Sequence, residues 1–112
     1  MAEIRNVQPE EARRMADEGA LLLDVREVEE WTAGHAPDAT LIPMSTLSER
    51  ASEIPRDQVV VCVCRVGGRS AAVTDALVQA GWEAVNLAGG MEAWAAAGFP
   101  VVTEDGSPGR VA

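Results

Sequence analysis

Four short apolar runs constrain the fold of this chain more than any other feature of its sequence. They cover residues 21–25, 39–42, 59–63 and 84–87, are rich in leucine, isoleucine and valine, and do not alternate between apolar and polar positions. A strand covered on both faces has this pattern, whereas a strand with one face in water alternates. The runs therefore predict buried strands of a parallel sheet, with residues 4–7 as a short first strand.

Helical patterns separate these runs. Pro9 begins one helix, with Glu10 and Glu11 in its first turn, and Gly19 ends it. Thr46 and Glu49 have the spacing of a capping box before a second helix that ends at Pro55. The patterns at 70–80 and 91–97 predict two more helices, each followed by a glycine. Strands that alternate with helices predict an α/β fold, in which ligands bind beyond the carboxyl ends of the strands.

Length and charge exclude several classes of protein. A chain of 112 residues is the size of one domain. Eighteen acidic residues against nine basic ones give a formal charge of −9, so the average field repels nucleic acid and anionic membrane surfaces. The longest uncharged stretch, residues 93–103, is shorter than the roughly 18 to 20 residues of a membrane-spanning helix. We expect neither nucleic acid nor membrane as a partner.

The N-terminus and the cysteines indicate the compartment. Charged residues occur at once, at Glu3 and Arg5, with no apolar run, so we expect no secretory signal and a cytoplasmic protein. A disulfide between Cys62 and Cys64 would close a strained ring, and we interpret both as thiols. Two cysteines and one histidine are too few for a typical zinc site, so we predict no metal.

The segment after the run at 59–63 carries the strongest chemical signal. It reads Cys64, Arg65, Val66, Gly67, Gly68, Arg69, Ser70 and leads directly into a helix. Backbone N–H groups and the positive end of the helix dipole stabilise a thiolate and a bound anion there. Gly67 and Gly68 allow the loop to curl, and Arg65 and Arg69 can hold an anionic substrate. The segment predicts a reactive cysteine.

The loop resembles the active-site loop of single-domain rhodaneses. Three further segments resemble the same family: residues 24–27 with Glu30 and Trp31, residues 34–39, and residues 86–94. The resemblance extends from about residue 4 to residue 102, and the chain departs from the family pattern at Ala36 and Asp38. It implies a rhodanese-like domain at 1–102, and we expect residues 103–112, rich in Gly, Pro and charge, to form a flexible C-terminal tail.

The resemblance also implies a fold and an activity. The fold is a three-layer α/β/α structure with five parallel strands in the order 3-2-4-5-1. The activity is transfer of a sulfane sulfur, from thiosulfate or a persulfide donor, through a Cys64 persulfide to cyanide, a thiol or a protein acceptor, without a cofactor. Cys64 would be catalytic. The substrate-binding residues would be Arg65, Val66, Gly67, Gly68 and Arg69. The supporting residues would be Asp24, Arg26 and Ser70.

Several alternatives accompany this interpretation. Related phosphatases have five residues between cysteine and arginine, whereas this chain has four between Cys64 and Arg69, which favours sulfur over phosphate. A sulfur-relay or regulatory binding module with little turnover of small donors is the second function. Asp24 and Arg26 could equally form a structural ion pair. His35 is interpreted as structural, and Cys62 as a core thiol. The acidic side chains at Glu27, Glu29 and Glu30 are interpreted as a solvated helix face.

Overall fold

The computed structural model describes residues 3–112. Residues 1 and 2, where the expected domain begins, lie outside that range. Five strands form one sheet, and every pair of neighbours is parallel. They are β1 (Asn6–Val7), β2 (Leu21–Asp24), β3 (Thr40–Leu41), β4 (Val60–Val63) and β5 (Ala84–Leu87). Their order, β1-β5-β4-β2-β3, is the predicted order 3-2-4-5-1 read from the other edge, so the expected fold is confirmed.

Helices cover both faces of the sheet. They are α1 (Pro9–Asp17), α2 (Val28–Ala33), α3 (Leu47–Arg50), α4 (Gly68–Gln79) and α5 (Gly90–Ala96). One buried cluster packs Leu23, Val60 and Cys62 against Val73 and Leu77 of α4. A second cluster packs the other strand face, including Val61 and Val85, against α1 and α5. Two buried faces explain why the strand sequences do not alternate.

The register of the sheet places the carboxyl ends of β2 and β4 side by side. Asp24 is paired with Val63, and the Val25 N–H donates to the Val63 carbonyl oxygen at 2.9 Å. Cys64 is therefore the first residue beyond the sheet, next to the residues that follow Asp24. Among residues 3–112, no helix is long and apolar enough to cross a membrane.

The region expected to form one helix from Thr46 is broken. Two short 3-10 turns flank α3, which has only four residues. The predicted capping box is wrong, because the Thr46 hydroxyl donates to the Pro43 carbonyl oxygen and does not accept from a helix N–H. A capping box occurs in α2, where the Glu27 and Glu30 side chains each accept from a backbone N–H of the other residue.

The turn that departs from the family pattern keeps a conformation that favours glycine. Asp38 has a φ of 65°, and among residues 3–112 it is the one non-glycine residue in the left-handed region. Aspartate tolerates this region better than most residues, because its short side chain bonds locally. The substitution at Asp38 is therefore compatible with the turn before β3.

The last residues fold back on α2. Val102 forms antiparallel bridges with His35 and Pro108, and the Arg110 N–H donates to the Ala33 carbonyl oxygen at 2.9 Å. A Cβ on Gly34 would lie 2.5 Å from the Arg110 oxygen, so the two segments are in close contact. The mobility expected for residues 103–112 stays a prediction.

Candidate active site

The loop from Cys64 to Ser70 joins β4 to α4 and places the Cys64 sulfur at the N-terminus of that helix. The Gly67 N–H lies 3.1 Å from Sγ, and the Ser70 hydroxyl oxygen lies 3.2 Å from it. Gly67 has a φ of 106°, which allows the curl that brings its N–H to the sulfur. Gly68 is the first residue of α4, and its φ is not in the left-handed region. Of the two glycines, Gly67 is therefore the one on which the curl depends.

Hydrogen bonds determine the pKa of Cys64. Burial of the thiol raises this pKa, because Cys64 is only 1% exposed. The Ser70 hydroxyl and the backbone N–H groups of Ser70, Gly67 and Val66 lower it, and together they outweigh burial. The pKa of Cys64 therefore lies below the ordinary thiol value, so a larger fraction is thiolate near neutral pH.

Cys62 has the opposite environment. It lies in the middle of β4, fully buried in the cluster that α4 covers. Burial raises its pKa to about 11, despite a hydrogen bond with Thr74 that lowers it. Its thiol is therefore protonated at neutral pH, as the core interpretation requires.

The start of α5 holds the backbone of the loop. The Met91 and Glu92 N–H groups donate to the carbonyl oxygens of Cys64 and Arg65, at 2.8 and 3.0 Å. The approach is so close that a Cβ on Gly90 would lie 2.4 Å from the Cys64 oxygen and 2.5 Å from the Arg65 carbonyl group. The backbone position of Cys64 therefore depends on a glycine in a different element.

Arg69 is tied to α2. Its two terminal nitrogens donate to the two carboxylate oxygens of Glu30, each at 2.8 Å. The hydrogen bond from Arg69 lowers the pKa of Glu30 to about 2. The interpretation of Glu27 and Glu30 as a solvated face is wrong, since Glu30 holds Arg69 and Glu27 accepts from the Ser45 hydroxyl at 2.8 Å. Both partners are distant in sequence.

Arg65 and Val66 lie at the outside of the loop. Arg65 is 52% exposed, and its Nε donates to the Glu92 carboxylate at 3.0 Å. Val66 is 58% exposed and carries its apolar side chain in contact with solvent. Arg65 therefore offers a positive charge at the surface, partly neutralised by Glu92, whereas Arg69 is bound within the site.

Asp24 and Arg26 form a buried ion pair beside the loop. Nε and Nη2 of Arg26 donate to the Asp24 carboxylate, and Nη2 also donates to the Gly34 carbonyl oxygen at 2.8 Å. The side chain of Arg26 is fully buried and that of Asp24 nearly so. The pair links the end of β2 to the end of α2, the helix that carries Glu30. A role in shaping the loop stays a proposal.

A buried amide completes the surroundings of Cys64. The Asn86 side chain from β5 lies 2.6 Å from the Ser70 hydroxyl and donates to the Gly67 and Asn6 oxygens. The sequence segment at 86–94 contained Asn86, but its contact with Ser70 depends on how β4 and β5 pair. A polar residue within an otherwise apolar strand run was the available signal.

The single histidine belongs to another part of the molecule. His35 stacks on Trp31 with 3.6 Å between ring centroids, and its Nδ1 lies 3.0 Å from the Trp31 carbonyl oxygen. Within the described range 3–112, no three side chains of His, Cys, Asp or Glu lie close enough together to hold a metal ion.

Comparison with known families agrees with this geometry. Residues 8–97 match the model of the rhodanese-like domain family. The chain belongs to this family. A rhodanese-related protein from Thermoplasma volcanium, with 33% identity, superposes with a TM-score of 0.84 over 89% of this chain and 99% of that one.

Two relatives with assigned names extend the comparison. The rhodanese-like domain is 44% identical over 97 residues to a sulfurtransferase of Allochromatium vinosum, covering 85% of this chain and 91% of that protein. It is 30% identical over 107 residues to the thiosulfate sulfurtransferase GlpE of Pseudomonas savastanoi pv. phaseolicola, covering 95% of this chain and all of that one. Both matches include the loop and its supporting strands.

Proposed function

We propose that this rhodanese-like domain is a sulfurtransferase in which Cys64 carries the sulfur. The observation that supports this most directly is the position of its Sγ, which accepts a hydrogen bond from the Gly67 N–H and lies beside the Ser70 hydroxyl at the start of α4. These donors stabilise negative charge on sulfur, both in the thiolate and in the terminal sulfur of a persulfide. The names of the two relatives support the same class of reaction.

Thiosulfate or a persulfide is the proposed donor. The Cys64 thiolate attacks the sulfane sulfur of thiosulfate, a new S–S bond forms, and sulfite leaves with the electron pair of the broken bond. A thiophilic acceptor, cyanide or a thiol, then attacks the terminal sulfur and releases the Cys64 thiolate. Neither step needs a cofactor or a general base on His35, because the nucleophile is the thiolate itself and the lowered pKa of Cys64 increases its fraction. Asp24 and Arg26 are proposed to support the site through α2.

Loop length argues against a phosphatase. Four residues separate Cys64 from Arg69, and the side chain of Arg69 is engaged by both oxygens of Glu30. An arginine held in this way has fewer donors available for the equatorial oxygens of a phosphoryl group. An aryl phosphate should therefore give no turnover above background at the concentration where thiosulfate reacts. Phosphate release that is lost in Cys64→Ser would overturn this choice.

Steady-state formation of thiocyanate from thiosulfate and cyanide tests the proposal. Cys64→Ser should abolish it, and the matched variant Cys62→Ser should retain most of it, because burial keeps the Cys62 thiol protonated. Equal loss in both variants would contradict the assignment of Cys64.

The second candidate, a sulfur-relay or regulatory module, shares the same geometry at Cys64. It is distinguished by the donor. A relay would accept sulfur from a protein persulfide while thiosulfate and cyanide give negligible turnover. The same thiocyanate assay therefore separates the two functions.

A further inference from the structure

The Ser70 hydroxyl lies between two acceptors. Its oxygen is 3.2 Å from the Cys64 sulfur and 2.6 Å from Oδ1 of Asn86, and all three side chains are buried. A hydroxyl has one hydrogen to donate. It can bond the thiolate or the amide oxygen, but not both at full strength.

The orientation of the Asn86 amide decides which partner holds that hydrogen. Its Nδ2 lies 3.2 Å from the Gly67 carbonyl oxygen, which can only accept, and 2.9 Å from Oδ1 of Asn6. The opposite orientation would place two oxygens against each other at Gly67. Oδ1 of Asn86 therefore faces Ser70, and two oxygens at 2.6 Å require the hydroxyl hydrogen between them.

We propose that Asn86 is a positioning residue that competes with Cys64 for the Ser70 hydrogen and so limits how strongly the thiolate is stabilised. In the thiol form, Ser70 donates to Asn86, and its oxygen can accept from the Cys64 S–H. On ionisation the thiol proton leaves to solvent, and the Ser70 hydrogen turns from Oδ1 to Sγ. Oδ1 of Asn86 then loses its donor, and that loss opposes ionisation.

This inference deepens the proposed function and rests on Cys64 as the nucleophile. A less stabilised thiolate is a stronger nucleophile toward the donor and a poorer leaving group when the acceptor takes the sulfur. Competition by Asn86 would balance the two half-reactions. The site would then not be optimised for thiolate formation alone.

Other charged and titratable groups surround Cys64 and must stay constant in any test. They are three ion pairs and one thiol. The ion pairs are Arg65 with Glu92, Arg69 with Glu30, and the buried pair of Asp24 with Arg26 beside β2. The thiol is Cys62 in β4. Cys62 lies opposite Asn86 in the register of β4 and β5. The three ion pairs form their side-chain hydrogen bonds with groups other than Asn86, so we expect substitution of Asn86 to leave their pairing unchanged.

The test is the pH dependence of alkylation of Cys64 by iodoacetamide, in a Cys62→Ala background where Cys64 is the only thiol. Asn86→Leu removes the competing acceptor at similar volume, and the midpoint should fall by about one pH unit. Ser70→Ala should raise the midpoint. Asn86→Leu added to Ser70→Ala should change it little, because no hydroxyl hydrogen remains to be redirected.

A structural role for Asn86 gives a different result. If Asn86→Leu only loosens the Gly67 peptide, the alkylation midpoint of Cys64 would rise, or it would shift by the same amount in the Ser70 parent and in Ser70→Ala. Either outcome would overturn the proposal. If Asn86→Leu does not fold, Asn86→Ala carries the same comparison. Alkylation does not require sulfur transfer. If the midpoints shift as expected but no persulfide forms, the result would contradict the proposed function and still support the competition between Asn86 and Cys64 for the Ser70 hydrogen.

Discussion

At the scale of single residues, Arg65 carries the exposed positive charge of the loop, which an anionic donor would meet in the proposed function. Its guanidinium is half exposed and shares its charge with Glu92, which lies across the loop at 3.0 Å. A screened charge at a surface changes how strongly a charged donor binds more than it changes the rate of the chemical step that follows. Arg65 and Glu92 should therefore have opposite effects on thiosulfate.

Arg65→Ala should raise the KM for thiosulfate about threefold with a smaller change in kcat, and Glu92→Gln should lower it by a similar factor. Glu92→Gln keeps the backbone N–H that bonds the Arg65 carbonyl oxygen. Steady-state kinetics with thiosulfate at low and at high ionic strength would check both, because salt screens a charge at the surface. A change in KM of the same size at high ionic strength would show that these side chains shape the loop instead.

How far the site could be read from the sequence also depends on single residues. Cys64, Gly67 and Ser70 lie within seven positions, and a loop before a helix predicts their contacts locally. Glu30 lies 39 positions before Arg69, and Asn86 lies 16 positions after Ser70. Those contacts exist only because the strands pair in one order, so composition alone gave Glu30 the wrong interpretation as a solvated residue.

At the scale of elements, the start of α5 is packed against the peptide that follows Cys64. Gly90 has a φ of 59° and no room for a Cβ, whereas Gly98, which lies just beyond the other end of α5, has a φ of 86° and nothing within 4 Å of a Cβ. The two glycines share the need for a left-handed conformation. They differ in contact with the loop.

Gly98→Ala should cost about 1 kcal/mol of unfolding free energy, from the conformation alone. Gly90→Ala should cost about 2 to 4 kcal/mol, because overlap with the Cys64 peptide is added, and it should also slow sulfur transfer. Denaturant unfolding and the thiocyanate assay measure both. An equal loss of unfolding free energy in the two variants would mean that the loop can move away from α5 without a measurable cost.

The ion pair between Glu30 and Arg69 joins α2 to α4 and makes stability depend on pH. The pKa of Glu30 is depressed from 4.5 to about 2, so its contribution is complete above pH 4.5 and is lost as the pH falls toward 2. Arg69 is 39% exposed, and solvent screening limits this contribution to about 1 to 2 kcal/mol.

Glu30→Gln isolates that charge, since glutamine at this position still completes the capping box with Glu27. The variant should be less stable than the parent at neutral pH by about 1 to 2 kcal/mol, and the difference should shrink toward pH 2. Urea unfolding of both proteins across this range is the measurement. A constant difference would assign the effect to packing rather than to the charge.

At the scale of the whole molecule, the hydrophobic pattern was sufficient for the fold class but not for the strand order. Continuous apolar runs separated by helical patterns predict a covered parallel sheet, and the family resemblance supplied the strand order that the sheet has. The segment at 46–54 was not predictable in the same way. Its spacing fits a helix, but the Thr46 hydroxyl donates to the Pro43 carbonyl oxygen, and the chain divides into a four-residue helix between two 3-10 turns.

The C-terminal residues give a prediction at the same scale. Residues 104–107 are exposed, and the hydrogen bonds of the Gly106 and Ser107 N–H groups stay within the exposed turn at 103–107, whereas the N–H groups of Gly109 and Arg110 are bonded to the Val101 and Ala33 carbonyl oxygens. Amide hydrogen exchange should be fast at 104–107 and slower at 109 and 110. Uniformly fast exchange from 103 to 112 would show a tail that does not stay on α2.

The central claim concerns the whole protein acting through one sulfur atom, and intact mass after incubation with thiosulfate tests it most directly. The parent and Cys62→Ser should each gain the mass of one sulfur atom and lose it on addition of cyanide, whereas Cys64→Ser should gain none. A gain that persists in Cys64→Ser would contradict sulfur transfer through Cys64, and an unchanged mass in the parent would contradict thiosulfate as its sulfur donor.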